Sequence, residues 1–135
     1  MALGNNLQFA AGGNIKPSRF LKMSADHTVV QAGAGEAHLV VAISEEGSYN
    51  APTPGADTTY LAVAGAPVPH RAPGDEAMLI CDAAVSAGDL LEPDADGRGT
   101  AAASTEDACA RVVQGTAAAN EPAKVVLLSG TAIVP

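Results

Sequence analysis

The segment AVSAGDLLEPDADGRGTA, residues 84–101, holds acidic residues of the type that could bind a metal ion. Asp94 and Asp96 occupy positions 1 and 3 of the spacing used by helix–loop–helix calcium sites. Position 5 is then Arg98, a cation where a ligand oxygen is needed, and position 12 is Thr105 instead of a bidentate glutamate. The spacing therefore predicts no metal site here.

The same segment has the residues of a strand–turn–strand unit. Asp96-Gly97 is a two-residue hairpin signal, because glycine accepts a positive φ angle at little cost. Ala87-Gly88-Asp89 predicts a second tight turn. We expect residues 85–101 to form two strands that carry a cluster of acids on the surface.

Groups that could act as nucleophiles or acid–base catalysts are few and scattered. Cys81 and Cys109 each lie in apolar runs, which indicates buried thiols, and sequence alone leaves a disulfide between them open. His27, His38 and His70 are far apart and belong to no recognisable catalytic spacing. We expect no catalytic residues, no cofactor and no enzymatic activity.

One lysine invites comparison with a cofactor carrier. The pattern V-x-x-G-D-x-L at residues 85–91 resembles a turn of the biotinyl and lipoyl carrier domains, which modify a lysine at a hairpin tip. The near match to the carrier Met-Lys-Met is Leu21-Lys22-Met23, about 65 residues upstream. A carrier, or another small-ligand binding module, is the alternative function.

Composition indicates one domain with a thin core. The chain has 135 residues and is 47% hydrophobic, but much of that fraction is alanine, and aromatic residues make up 3%. Hydrophobic stabilisation scales with buried apolar area, at roughly 25 cal/mol per Å², so alanine contributes little. Such domains often gain stability from copies of themselves or from a partner surface.

The net charge of −8 argues against nucleic-acid binding, which needs clustered cations. Residues 1–25 nevertheless carry Lys16, Arg19 and Lys22 with no acid, whereas the remainder is strongly acidic. The N-terminus lacks the features of a signal peptide, and no apolar run is long enough to cross a membrane. We expect synthesis in a cytoplasm.

Short apolar runs between frequent Gly and Pro residues predict a mostly β fold: a compact small β-barrel or β-sandwich with an extended N-terminal arm and at most one short helix. The arm covers residues 1–14 and the single β domain residues 15–135. The short helix is expected at Ser104–Arg111, where Ser104 is a candidate N-cap. The expected strands are Arg19–Met23, Thr28–Gln31, His38–Ser44, Thr58–Val63, Ala77–Cys81, Arg111–Gln114 and Lys124–Leu128.

Three stretches together resemble the capsid cement (head decoration) proteins of tailed bacteriophages. They are LQFAAGGNIKPSRFLKMSADHTVVQAGAGE, GDEAMLICDAAVSAGDLLEPDADGRGTAA and EPAKVVLLSGT, and the resemblance covers most of residues 7–131. The resemblance rests on shared turns and strands, and this chain departs from the family pattern in its 46–74 excursion and its alanine content.

The resemblance implies a structural virion protein that binds the outer surface of the assembled capsid and cements it as a homotrimer. The implied partners are the major capsid protein and other copies of the chain, with no nucleic acid and no membrane. The sequence leaves open a role as a head fibre or receptor-contacting ornament. We expect capsid contacts from the apolar and basic residues of the N-terminal region: Leu7, Phe9, Ile15, Lys16, Arg19, Phe20 and Lys22.

Overall fold

Two β-sheets make up the described part of the chain, residues 9–45, 60–103 and 106–134 of a computed structural model. The sheets remain separate, so the fold is a sandwich and not a closed barrel, which confirms the predicted class. The strands are β1 (Phe9–Ala11), β2 (Phe20–Ala25), β3 (Thr28–Gln31), β4 (Val40–Ser44), β5 (Pro67–Val68), β6 (His70–Arg71), β7 (Glu76–Ile80), β8 (Leu90–Pro93), β9 (Gly99–Ala101), β10 (Asp107–Gln114) and β11 (Pro122–Ile133).

The first sheet has the order β5-β1-β3-β2-β4-β6, and the second has the order β7-β11-β10-β8-β9. Neighbouring strands are antiparallel except β1 and β3, which are parallel. β1 belongs to the region expected to be an arm, so from Phe9 onward that region is paired into the first sheet. Residues 1–8 lie outside the described residues, and for them the arm stays a prediction.

Two clusters of buried side chains lie on opposite faces of the first sheet. Phe20 pairs with Ile43, and both belong to the cluster shared with the second sheet. Leu21 pairs with Ala42, and both belong to the other cluster, which Ile15 covers together with Ala62 and Val68. Because successive side chains of a strand point to opposite faces, β2 and β4 are buried on both sides. The apolar residues are thus divided between two small cores.

Small residues are required where the layers approach closely. A Cβ added at Gly99 would lie 2.6 Å from Leu79 Cδ2 and 3.1 Å from Cys81 Sγ, so a side chain here would displace the inter-sheet core. Several of the buried positions are alanines, among them Ala77, Ala110 and Ala123. The alanine content therefore permits tight packing between the sheets and adds little area.

The prediction of a helix at Ser104–Arg111 is wrong. Residues 104 and 105 lie outside the described residues, and Asp107–Gln114 form β10, which pairs with β11 on one side and β8 on the other. A central strand gains ladder hydrogen bonds on both edges, which outweighs one acidic residue near a candidate N-cap. Within the described residues the helical structure is the 3₁₀ turn Ala37–Leu39, so the strand expected from His38 begins at Val40.

Two other strand expectations have mixed outcomes. A hairpin is confirmed at Asp96-Gly97, and Gly97 has a φ of 79°, but residues 94–98 join β8 to β9, so the connection is longer than the two-residue turn expected there. The strand expected at Thr58–Val63 reduces to an isolated bridge between Ala62 and Ile15, with residues 58 and 59 outside the described part. No helix in the described ranges is long and apolar enough to span a membrane.

Candidate interaction surface

The face of the second sheet turned away from the first sheet is partly exposed and carries aliphatic and charged side chains in equal number. Its identity follows from alternation: Leu79, Val125 and Leu91 are buried in the inter-sheet cluster, so their strand neighbours point outward. We call this surface the outer face. It comprises Glu76, Met78 and Ile80 on β7, Lys124 and Val126 on β11, Arg111 on β10, and Leu90 and Glu92 on β8.

Strand register places these side chains in a row across four strands. Val126 on β11 lies between Glu76 on β7 and Arg111 on β10, and Arg111 in turn lies opposite Leu90 on β8. Val113, at an irregularity of β10, is 43% exposed and extends the apolar surface. Side chains directly opposite on neighbouring strands are in contact range, so the row forms a continuous surface.

The charged groups of the outer face differ in their pairing. Lys124 Nζ lies 3.8 Å from Glu76 Oε1, a solvent-exposed ion pair. The Arg111 side chain is exposed, and its guanidinium has no hydrogen bond or ion pair with any other described residue. An arginine among half-buried aliphatic side chains has the composition of an interface centre, where arginine and methionine are enriched.

A carboxyl pair lies at the β8 margin of the outer face. Burial raises the pKa of Glu92 to about 7, and a hydrogen bond with Glu106 and the charges of Glu106 and Asp107 act in the same direction. The hydrogen bond with Glu92, followed by that from the Ala103 amide, lowers the pKa of Glu106. The pair therefore retains a proton to higher pH than an isolated glutamate would.

The structure divides the predicted capsid-contact residues into buried and accessible ones. Ile15 and Phe20 are fully buried in the two cores, which corrects the expectation for both, because a side chain without exposed surface cannot contact a partner. Phe9 is half-buried against the second core, and its ring centroid lies 4.7 Å from that of His70. Leu7 lies outside the described residues.

The three predicted cations have different environments. Lys22 Nζ lies 2.6 Å from Glu36 Oε2, so its charge is neutralised within the chain. Arg19 donates through Nε to the Pro17 carbonyl, at 3.3 Å. Lys16 is half-buried; its backbone amide donates to Gln31 Oε1.

The acidic turn between β8 and β9 forms hydrogen bonds among its own polar groups. Asp94 Oδ1 accepts hydrogen bonds from the backbone amides of Asp96 and Arg98, and Asp94 Oδ2 accepts one from Arg98 Nε at 2.8 Å. This carboxylate is committed to holding the β8–β9 hairpin. No group of three or more potential metal ligands occurs among the residues that the structure describes.

A cleft of about 280 Å³ opens at one end of the sandwich, beside the 3₁₀ turn. Its walls include His38, Val40, Cys109, Leu128 and Thr131. This volume is at the lower limit of small-molecule pockets, which run from roughly 300 to 1,000 Å³. Burial raises the pKa of the Cys109 thiol to about 12, so this cysteine is not an activated nucleophile.

Sequence reasoning missed the outer face. The pattern that could have indicated it is the lack of apolar–polar alternation in EAMLI (residues 76–80) and KVVLL (residues 124–128). In both segments apolar residues occupy both faces of the strand. A half-solvated antiparallel strand alternates apolar and polar residues, so unbroken apolar runs indicate burial on both faces or an interface. That Arg111 has no partner among the described residues could be recognised only from the fold.

No family model matches the sequence, and no curated protein matches it. Among solved structures, the fold is similar to the head fiber gp8.5 N base of bacteriophage phi29. The TM-score is 0.51, the sequence identity is 15%, and the match covers 93% of this chain and 94% of that chain. At this identity the likeness concerns the fold.

Proposed function

We propose that this chain is a non-enzymatic structural protein of a tailed-bacteriophage virion, which binds the outside of the assembled head and stabilises it as a homotrimer. The observation that carries the proposal is the fold likeness, over nearly the full length of both chains, to a protein described as the base of a phage head fibre. The sequence resemblance to capsid cement proteins supports the same class independently of the fold.

Stabilisation of the head would follow from linkage. A protein that binds the assembled shell and not its separate subunits favours assembly by mass action. Repetition over many equivalent sites makes a modest affinity per copy large in total. The major capsid protein is the proposed partner, and the proposed location is the outer surface of the virion.

The proposed head contact is the N-terminal region. Of the residues predicted from sequence, Phe9, Lys16 and Arg19 are at least partly accessible. Leu7, in the preceding segment, completes the proposed set. Lys16 and Arg19 supply positive charge from an otherwise acidic chain, which favours an acidic partner surface.

The direct test uses heads of the encoding phage assembled without this protein. Purified chain is added, bound protein is measured by co-sedimentation, and the temperature of DNA release is compared with and without it. We expect saturable binding and a higher release temperature. Absence of binding to these heads would refute the proposal.

A truncation locates the contact. Removal of residues 1–8 leaves β1 and Ile15 in place and should weaken head binding while circular dichroism stays unchanged. The charge reversal Lys16→Glu should weaken head binding. The binding that remains should no longer depend on ionic strength. Full binding by both variants would place the head contact elsewhere on the chain.

A second candidate function is attachment without bracing. The similar structure is the base of a head fibre, and a base need only anchor other parts to the head. Binding to heads with no change in the release temperature would favour this function over cementing.

The carrier alternative loses its candidate lysine. Lys22 lies within β2, which pairs with β3 and β4, and its ammonium is held by Glu36. A carrier lysine must extend from a hairpin tip to reach its enzymes. The intact mass of the protein from its host tests this directly, since a carrier would show a lysine-linked adduct.

A further inference from the structure

We propose that the cleft beside the 3₁₀ turn binds residues 1–4 of the same chain as an added strand. The inference goes beyond the proposed function and does not depend on it. Leu7 of the proposed head contact lies in the part of the chain that connects residues 1–4 to β1. Two observations carry the inference: strand edges without a neighbour on both sides of the cleft, and a strand register that leads residues 1–8 toward it.

One wall of the cleft is a segment of β11, residues 128–131, that pairs with no described strand. The register between β10 and β11 is interrupted between Leu127 and Ala132. The single residue Cys109 of β10 lies opposite the interruption. On the other edge of β11, the pairing with β7 ends at Val126. Residues 128–131 therefore have no register partner on either edge within the described part of the chain.

The other wall of the cleft is an edge of β4. β6 pairs with β4 at Ile43 and Ser44 and then ends in a turn at residues 72–75, which a backbone hydrogen bond of 3.1 Å closes. Val40 and Val41 line the cleft, in the part of β4 that precedes this pairing. That part of β4 has β2 on one edge and none of the described strands on the other. An extended segment in the cleft would thus lie between two strand edges that accept a neighbour.

The register of β1 leads residues 1–8 toward the cleft. β1 is antiparallel to β5, and Phe9 lies opposite Val68. The chain that precedes Phe9 therefore runs, if it stays extended, along the chain that follows Val68, which reaches the cleft at Pro73. The path from Val68 to Pro73 covers at most about 18 Å, whereas eight extended residues span up to about 29 Å. The segment is long enough to place residues 1–4 in the cleft.

The composition of residues 1–4 suits this cleft. Met1 and Leu3 share one face of an extended segment, because side chains alternate along a strand. The described residues that line the cleft include no acid, lysine or arginine, and β4 and Leu128 supply aliphatic surface. Peptides that add to a sheet edge bind through main-chain hydrogen bonds and place alternate side chains in pockets. A cleft below the usual size of small-molecule pockets is sufficient for such side chains.

Hydrogen exchange of the full-length protein and of a variant without residues 1–4 tests the inference. We expect the amides of residues 128–131 to exchange at least about tenfold faster in the truncated variant, because an added strand protects the amides that it pairs with. The amides of β8 should exchange equally in both proteins. Leu3→Asp should reproduce the effect of the truncation. Ala2→Asp, on the opposite face of an extended segment, is the matched control and should not.

Designed disulfides identify the occupant of the cleft. Leu3→Cys is combined in turn with Ser129→Cys and with Thr131→Cys, and the control combines it with Val63→Cys, since Val63 is 55% exposed and does not line the cleft. We expect a disulfide within one chain for at least one cleft pair and none for the control.

The outcomes decide the inference separately from the proposed function. Equal exchange of residues 128–131 with and without residues 1–4 would overturn it. Disulfides that form only between chains would overturn it as well, because a second copy would then supply the strand. The absence of a disulfide within one chain at both cleft positions has the same consequence. Neither measurement uses phage heads, so the inference can fail while head binding stands, and the reverse.

Discussion

Lys22 on β2 and Glu36, which precedes the 3₁₀ turn, form an ion pair of 2.6 Å that ties the central strand of the first sheet to the turn before β4. The same carboxylate accepts a hydrogen bond from the Gly33 amide through Oε1. The Lys22 hydrogen bond, followed by the Gly33 bond, lowers the pKa of Glu36. A cation that the sequence offered as a partner contact thus has an internal role.

Lys22→Gln should destabilise the fold at neutral pH by less than about 1 kcal/mol, the range of partly exposed pairs. Because the folded-state pKa of Glu36 is lowered, its contribution is present above the ordinary value of 4.5 and is lost as the pH falls through the folded value. Urea unfolding midpoints should therefore differ at pH 7 and converge at acidic pH. A difference independent of pH would contradict the role assigned to the pair.

The Glu92–Glu106 pair predicts the opposite pH dependence. The folded-state pKa of Glu92, about 7, exceeds its ordinary value of 4.5. Between these two pH values the folded state therefore binds a proton that the unfolded state has lost. Its contribution to stability is full below 4.5 and is lost as the pH rises through about 7. Glu92→Gln should therefore raise the melting temperature at pH 8 and leave it nearly unchanged near pH 4. Glu76→Gln, at an exposed position of the same sheet, serves as the control, and equal gains for both variants would refute the prediction.

Phe20→Ala should remove the largest fully buried side chain between the two sheets. Large-to-small changes of this kind cost about 3–5 kcal/mol, from lost burial and the cavity left behind. Met23→Ala, on the same strand but 40% exposed, should cost far less. Denaturant unfolding measures both, and similar losses would contradict the inter-sheet position of Phe20.

The two thiols should be unreactive in the folded protein. Both cysteines are free and buried, and desolvation raises the pKa of Cys81 to about 11 and that of Cys109 to about 12. Thiolate is the reactive form, so a thiol reagent at pH 8 should label neither residue until denaturant is added. Mass spectrometry of labelled peptides identifies the sites, and rapid labelling of the native chain would refute this burial.

The local chemistry of turns and strands was readable from sequence. Thr28–Gln31 has the predicted strand bounds, and Gly97 adopts the positive φ expected in the β8–β9 hairpin, because β-branched residues and glycines act through their own backbone. The helix expected at Ser104–Arg111 failed for the opposite reason. The conformation of this segment is set by its pairing with β8 and β11, which lie elsewhere in the chain.

The sequence by itself determined that the chain is mostly β, rich in alanine and acidic apart from its N-terminal region. Only the tertiary structure decided that Phe20 and Ile15 are buried, that Lys22 is paired with Glu36, and that Arg111 stands without a partner among described residues. The physical reason is that a side chain's role depends on which strand becomes its neighbour. Strand order and register join residues far apart in sequence, and the pattern within one strand does not specify them.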